Sequence, residues 1–143
     1  MLRISDVLAA KPSDVVVTVS PAATVRELVT LLEQHNIGAL VVSEDGTSVA
    51  GIVSERDVVR RMTRFADLLD MSVSSIMTTD VRTIAPDDTI EGTRQLMTEH
   101  RIRHLPVVVD GQLQGLVSIG DVVKSHIAQV EYERDQLDSY VRS

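Results

Sequence analysis

The chain has 143 residues, 43% of them hydrophobic, yet its only aromatics are Phe65, Tyr132 and Tyr140. A single core must therefore rest on Val, Leu, Ile and Met, and no stacking platform for single-stranded nucleic acid is at hand. The formal net charge of −7 repels a phosphate backbone, and the basic run Arg56, Arg60, Arg61 and Arg64 is too short to reverse that. There is no cysteine, which excludes disulfides and thiolate chemistry. The start "MLRISDVLAA" lacks a basic region followed by an apolar run, and no apolar stretch approaches about eighteen residues. The expectation is a cytoplasmic protein with neither nucleic acid nor membrane as partner.

In chain order, Val15 to Val19 is rich in β-branched residues and stops before Pro21, which reads as a short strand. Thr24 and Glu27 have the spacing of a capping box, and Val25, Leu28, Val29, Leu31 and Leu32 follow at helical spacing up to Asn36. "ALVVS" and "VAGIVS" then flank Glu44-Asp45-Gly46 as the arms of a hairpin. A second helix starts near Ser54. "FADLLDMSVSSIMTTD" is a connector with some helical character, too short and too apolar for a flexible linker.

The same order then repeats. "VRTI" before Pro86 predicts a strand, and Asp88 with Glu91 predicts a helix start. Ile90, Leu96 and Met97 form the apolar stripe, "LPVVV" and "LQGLVS" flank Asp110-Gly111, and a last helix starts near Ser118. The duplication is visible residue by residue: Thr18, Pro21, Thr24, Leu31, His35 and Ile37 recur as Thr83, Pro86, Thr89, Leu96, His100 and Ile102. "GIVSERDVV" at Gly51 recurs as "GLVSIGDVV" at Gly115. Each copy has about sixty residues, marginal for a core of its own, so the pair is expected to be the folding unit.

The repeated S-x-x-D has two readings. A serine that ends a strand, with an acid three residues on, is close to a capping box. The same geometry suits a nucleotide: free N–H groups at a helix start favour phosphate, and Asp57 or Asp121 can accept from both ribose hydroxyls. Ile52-Val53 and Leu116-Val117 would give aliphatic walls to a base. His100 and His104 are four apart, but the helix should end between them, so no metal site is expected. No G-x-S-x-G elbow, P-loop lysine or plausible triad occurs, so no enzyme is expected.

The doubled pattern resembles a pair of CBS domains, the module named after cystathionine β-synthase. "SSIMTTDVRTIAPDDTI", "HRIRHLPVVVDGQLQGLVSIGDVV" and "HNIGALVVSEDGTSVAGIVSERDVV" carry the resemblance, which covers nearly the whole chain. It implies an α/β fold of two tandem β-α-β-β-α repeats packed with pseudo-twofold symmetry into one module. The expected division is a first repeat over 1–62, a connector over 63–76, a second repeat over 77–125 and a helical extension over 126–143. The resemblance further implies clefts for an adenosine-containing ligand such as AMP, ADP, ATP, NAD or S-adenosylmethionine, with no obligatory cofactor.

Carried over by position, it makes Asp57 and Asp121 ribose ligands and Ser54 and Ser118 contacts to ribose or phosphate. Thr18 and Thr83 would bond ligand, and Ala39 and His104 would lie beside base or phosphate. Val53 and Val117 would border the base. The copies differ near the phosphate: the first has Glu55-Arg56 inside its motif, while only the second has Arg103 and Pro106, in "RHLPV". Inequivalent sites are therefore expected. The resemblance also implies a homodimer, and regulation of a separate, unidentified protein or of its own oligomer. Val123, Val130 and Leu137 fall seven apart, with Ile127 and Val141 on the adjoining stripe, on a C-terminal helix suited to packing on a partner subunit or on its own domain.

Overall fold

The computed structural model describes residues 2–12 and 16–142. Helix α1 (Ile4–Ala9) is followed by strand β1 (Thr18–Val19), α2 (Val25–His35), β2 (Ala39–Val42), β3 (Gly51–Ser54) and α3 (Glu55–Arg61). Two short 3-10 turns, Leu68–Asp70 and Val73–Ser75, cross to α4 (Ile90–His100), β4 (His104–Val109), β5 (Gln112–Ser118) and α5 (Ile119–Arg142). Of the strand expected from Val15, that first residue lies outside the described residues, and the ladder begins at Thr18.

Local chemistry accounts for most boundaries. Glu27 donates its N–H to the Thr24 hydroxyl, and the Thr24 N–H returns to Glu27 Oε2, which closes the capping box of α2. Asn36 ends that helix in the left-handed region at φ 51°, a conformation asparagine tolerates. In the second copy the cap is shifted by one residue from the expected pair. Thr89 accepts from the Gly92 N–H at 3.0 Å, while Asp88 turns back to accept from Ala85 N–H at 2.8 Å. Asp110 and Gly111, both at positive φ, form the tight turn between β4 and β5.

One sheet runs β1-β2-β3, with β1 parallel and β3 antiparallel to β2. The second is the antiparallel pair β4-β5. The expected strand at "VRTI" shrinks to a single parallel bridge, Ile84 beside Val107. In the first copy Thr18 pairs with Val41; in the second, the residue matching Val41 is Pro106, which has no N–H to offer a neighbouring strand.

Each repeat completes its core with the segment that precedes the other. Ile4 and Val7 of α1 are buried among Ile90, Met97, Leu105 and Val117 of the second repeat, whereas Val73 and Ile76 of the connector are buried among Leu28, Leu40, Val42 and Val53 of the first. The backbone follows the same symmetry. Ile4 and Ser5 donate to the carbonyls of Asp88 and Pro86, and Val73 and Ser74 donate to those of Ala23 and Pro21, all at 2.8 to 3.0 Å.

The motif glycines belong to this exchange. A Cβ at Gly51 would lie 2.7 Å from Met77 Sδ and 2.8 Å from the Thr78 carbonyl, and one at Gly115 would lie 2.7 Å from Leu8 Cδ2. The crossing segments therefore press against bare backbone. Among the described residues no helix is long and apolar enough to cross a membrane.

Candidate functional site

Both S-x-x-D motifs sit where a strand runs straight into a helix. At the end of β3, Ser54 N–H donates to Asp57 Oδ2 at 2.8 Å and Asp57 N–H donates to Ser54 Oγ at 3.3 Å. At the end of β5 the matching distances are 2.9 Å and 3.1 Å. Each motif is thus a reciprocal capping box with Asp in place of the usual Glu. Glu55 N–H reaches the Gly38 carbonyl and Ile119 N–H reaches that of Arg103, so each helix start is tied to the turn before the neighbouring strand.

Between the repeats opens a cleft of about 660 Å³, a volume suited to a small-molecule ligand. The second repeat contributes His104, Leu116, Ser118 and Asp121 to its wall. The first contributes Val17, Gly38 and Ala39, and the segment after α1 contributes Lys11. The cleft therefore exists only because two copies fold together.

Its polar groups are interlocked. Lys11 Nζ lies 3.0 Å from Asp121 Oδ2 and donates to the Leu116 carbonyl at 2.9 Å. Burial raises the Asp121 carboxyl pKa, but the Ser118 N–H and the Lys11 ammonium outweigh it and hold the group below its ordinary range. For His104 burial lowers the pKa, and the opposing pull of Asp121 and Glu55 does not restore it. The ring is therefore predominantly neutral at pH 7 and can both donate and accept a hydrogen bond.

Of the residues expected from sequence, the cleft brings together Ala39, His104, Ser118 and Asp121. Ser54 and Asp57 are outside its lining, at the other motif, where Arg61 Nη1 lies 3.7 Å from Asp57 Oδ1. Thr18 is half-buried in β1, Thr83 is exposed beside Ile84, and Arg56 and Arg103 are exposed. Pro106 is buried in β4, and Val53 and Val117 are fully buried in the two cores. Their side chains face away from solvent, so only their backbone is available to a ligand. His100 and His104 are separated by the end of α4, where Arg101 turns left-handed.

Lys11 and Gly38 are among the lining residues to which sequence reasoning gave no site role. Gly38 lies against the His104 ring and Glu55 Oε1, each of which would stand in ordinary contact, 3.5 Å from a Cβ there. Lys11 carries no local motif, and it meets Asp121 across a separation of 110 residues.

The family model for the CBS domain matches twice, at residues 4–64 and 73–127. The mitochondrial CBS domain-containing protein CBSX3 of Arabidopsis thaliana is 38% identical over 124 residues. That similarity covers 83% of this chain, which spans only 60% of CBSX3. YhcV, a CBS domain-containing protein of Bacillus subtilis, is 36% identical over 113 residues, covering 79% of this chain and 80% of YhcV. A solved CBS-domain protein from Agrobacterium tumefaciens is 39% identical with a TM-score of 0.81, covering 87% of this chain and 92% of its own.

Two more distant structures share the fold and were solved with ligands. CBSX2, in complex with AMP, is 24% identical with a TM-score of 0.76, over 92% of this chain and 99% of its own. The CBS domain pair of MJ0100, in complex with 5′-methylthioadenosine and S-adenosyl-L-methionine, is 22% identical with a TM-score of 0.79, over 90% of this chain and 98% of its own.

Proposed function

The chain belongs to the CBS domain family, and from that premise we propose that it is a regulatory module whose inter-repeat cleft binds an adenosine-containing ligand such as AMP, ATP, NAD or S-adenosylmethionine. One observation carries the reading: the cleft joins Ser118, Asp121 and His104 of one repeat to Ala39 of the other. Four of the residues expected at a nucleotide site converge there although the chain separates them widely. Asp121 would accept the ribose hydroxyls and Ser118 would stand beside ribose or phosphate. Ala39 and His104 would lie along base or phosphate, and Asp57 with Ser54 would play the same parts at the other motif.

Bound between the repeats, a ligand favours one relative orientation of the two, because only an orientation in which both walls touch it gains the full contact energy. A separate protein, or a second copy of this chain, would read that orientation. A homodimer is supported by Val59 on α3, Met62 just after it, and Ile127 and Val130 on α5, all exposed by half or more. No catalytic step is proposed. The complexes of CBSX2 with AMP and of the MJ0100 domain pair with 5′-methylthioadenosine and S-adenosyl-L-methionine support a binding reading.

A second reading has its own support. Both motif carboxylates are already engaged as caps, and a purely structural or protein-interaction module needs nothing more from them. Calorimetric titration of AMP, ATP, NAD and S-adenosylmethionine into the wild type, Asp57→Asn and Asp121→Asn separates the two. Asparagine keeps an acceptor for the cap but loses the charge, which strengthens a ribose contact by roughly 1–1.5 kcal/mol over a neutral acceptor, or about five- to tenfold in affinity. Binding that falls by that factor in Asp121→Asn supports the sensor. A folded wild type that binds none of the four at millimolar concentration favours the empty-cleft module.

A further inference from the structure

We infer that Lys11 makes the Asp121 cleft select phosphate-bearing nucleosides over neutral ones, by holding the ribose carboxylate until an anion draws the ammonium away. This deepens the adenosine-ligand reading and rests on it. The observations are geometric: Lys11, Asp121, Ser118 and His104 line one cavity, and Lys11 bridges Asp121 Oδ2 at 3.0 Å and the Leu116 carbonyl at 2.9 Å. Both side chains of the pair are only part-exposed, at 35% and 26%, so the contact is partly shielded from solvent.

A neutral nucleoside that offers its ribose to Asp121 must compete with an ammonium already in place. It brings no charge to receive that ammonium, so displacing Lys11 exchanges a charge-assisted contact for weaker ones. A phosphate supplies the missing acceptor. The four-carbon stem lets Nζ swing from carboxylate to phosphate, Asp121 is freed for the hydroxyls, and the ion pair is replaced rather than lost. The other cleft-lining groups with ionisable side chains are His35 and His104. Lys11 is therefore the permanently charged cation among the described residues lining this cavity.

The first motif lacks this arrangement. Asp57 is approached by Arg61, from one turn further along its own helix, and that guanidinium is also held by the Asp57 carbonyl at 3.0 Å. Lys11 instead arrives on the segment after α1, so phosphate selection at the second motif is linked to the seating of the N-terminal segment.

The test is the ratio of AMP to adenosine affinity, measured by calorimetry in the wild type, Lys11→Met and Lys11→Arg, each first checked for cooperative unfolding. Lys11→Met should weaken AMP about ten- to a hundredfold and leave adenosine unchanged or tighter; Lys11→Arg should restore most of the ratio. Equal weakening of both ligands, or an unchanged ratio, overturns the inference and leaves Lys11 as an anchor of the N-terminal segment, with the adenosine reading intact. If Lys11→Met does not fold, Lys11→Gln and the salt dependence of the wild-type ratio decide: a ratio that does not fall as salt rises overturns the inference. A wild type that binds neither AMP nor adenosine overturns the inference, and the adenosine-ligand reading falls with it only if ATP, NAD and S-adenosylmethionine also fail to bind.

Discussion

At Ser54–Asp57 the carboxylate is met by Arg61 at 3.7 Å from within α3, whereas at Ser118–Asp121 it is met by Lys11 at 3.0 Å across 110 residues of chain. The caps themselves are alike, with the serine N–H reaching the aspartate at 2.8 Å and 2.9 Å. Duplication has therefore preserved the backbone chemistry of the two helix starts while their charged surroundings have parted. His104 marks the same divergence, since the matching position in the first repeat is Ala39, which has no ionisable group. Capping depends on groups three residues apart, so it survives wherever the motif does. Cleft chemistry depends on what another segment delivers, and the two deliveries differ.

The comparison breaks most readily at the exchanged segments. Ile4 and Val73 are both fully buried, each in the core of the repeat it does not precede in a simple tandem reading. Ile4→Ala should lower stability by about 3–4 kcal/mol and Val73→Ala by somewhat less, as read from urea unfolding. A loss below about 1 kcal/mol at Ile4 would remove the N-terminal helix from the second core.

The glycines come next. Gly51→Ala forces a methyl against the Thr78 carbonyl, which cannot rotate away, while Gly115→Ala meets only the tip of Leu8. We expect a cost of about 2–3 kcal/mol at Gly51 and about 1 kcal/mol at Gly115. Equal costs would show that the two crossings are equally rigid. The caps should differ least: Ser54→Ala and Ser118→Ala should each cost about 1 kcal/mol, and a large difference in unfolding midpoint between them would contradict the equivalence of the helix starts.

The smallest effect is a pH dependence that differs between the repeats: in the first it comes from Asp45, whose carboxyl the Ser48 and Thr47 N–H groups hold below its ordinary range, and in the second from His104 and Asp121. His104 has a folded pKa below its ordinary 6.5, so the unfolded chain binds more protons. Its contribution is fully present above about pH 6.5 and is lost as pH falls towards the folded value. Asp121, also depressed, contributes above its ordinary 3.8 and loses that contribution as pH falls further. Thermal unfolding midpoints of His104→Gln should fall less than those of the wild type between pH 7 and 5. Asp121→Asn should flatten the acid limb below about pH 4. Profiles parallel to the wild type in both variants would break the proposed asymmetry.

Much of the fold was legible because its signals are local. The Thr24–Glu27 cap, the Asn36 helix stop, the Asp110-Gly111 turn and both S-x-x-D helix starts each depend on residues within a few positions of one another. The errors came where one residue alters a neighbour's options: Pro106 curtails the pairing expected of "VRTI", and Thr89 rather than Asp88 caps α4. Helix α1 lay in a stretch read only for targeting signals. Its six residues are too few for a convincing apolar period, and their burial depends on a sheet more than eighty positions away. The site was legible where the repeat marked it, at Ala39, His104, Ser118 and Asp121, and illegible at Lys11.

By itself the sequence determined that the protein is two copies of one α/β unit with matching S-x-x-D helix starts, because repetition and local hydrogen bonding leave their imprint at short spacing. Only the tertiary structure decided which segment completes which core, why Gly51 and Gly115 must be bare, and which cation meets which carboxylate. Those outcomes arise from contacts between segments far apart in the chain, where burial and charge pairing are set by the packing of the two copies and no short-range pattern records the partner.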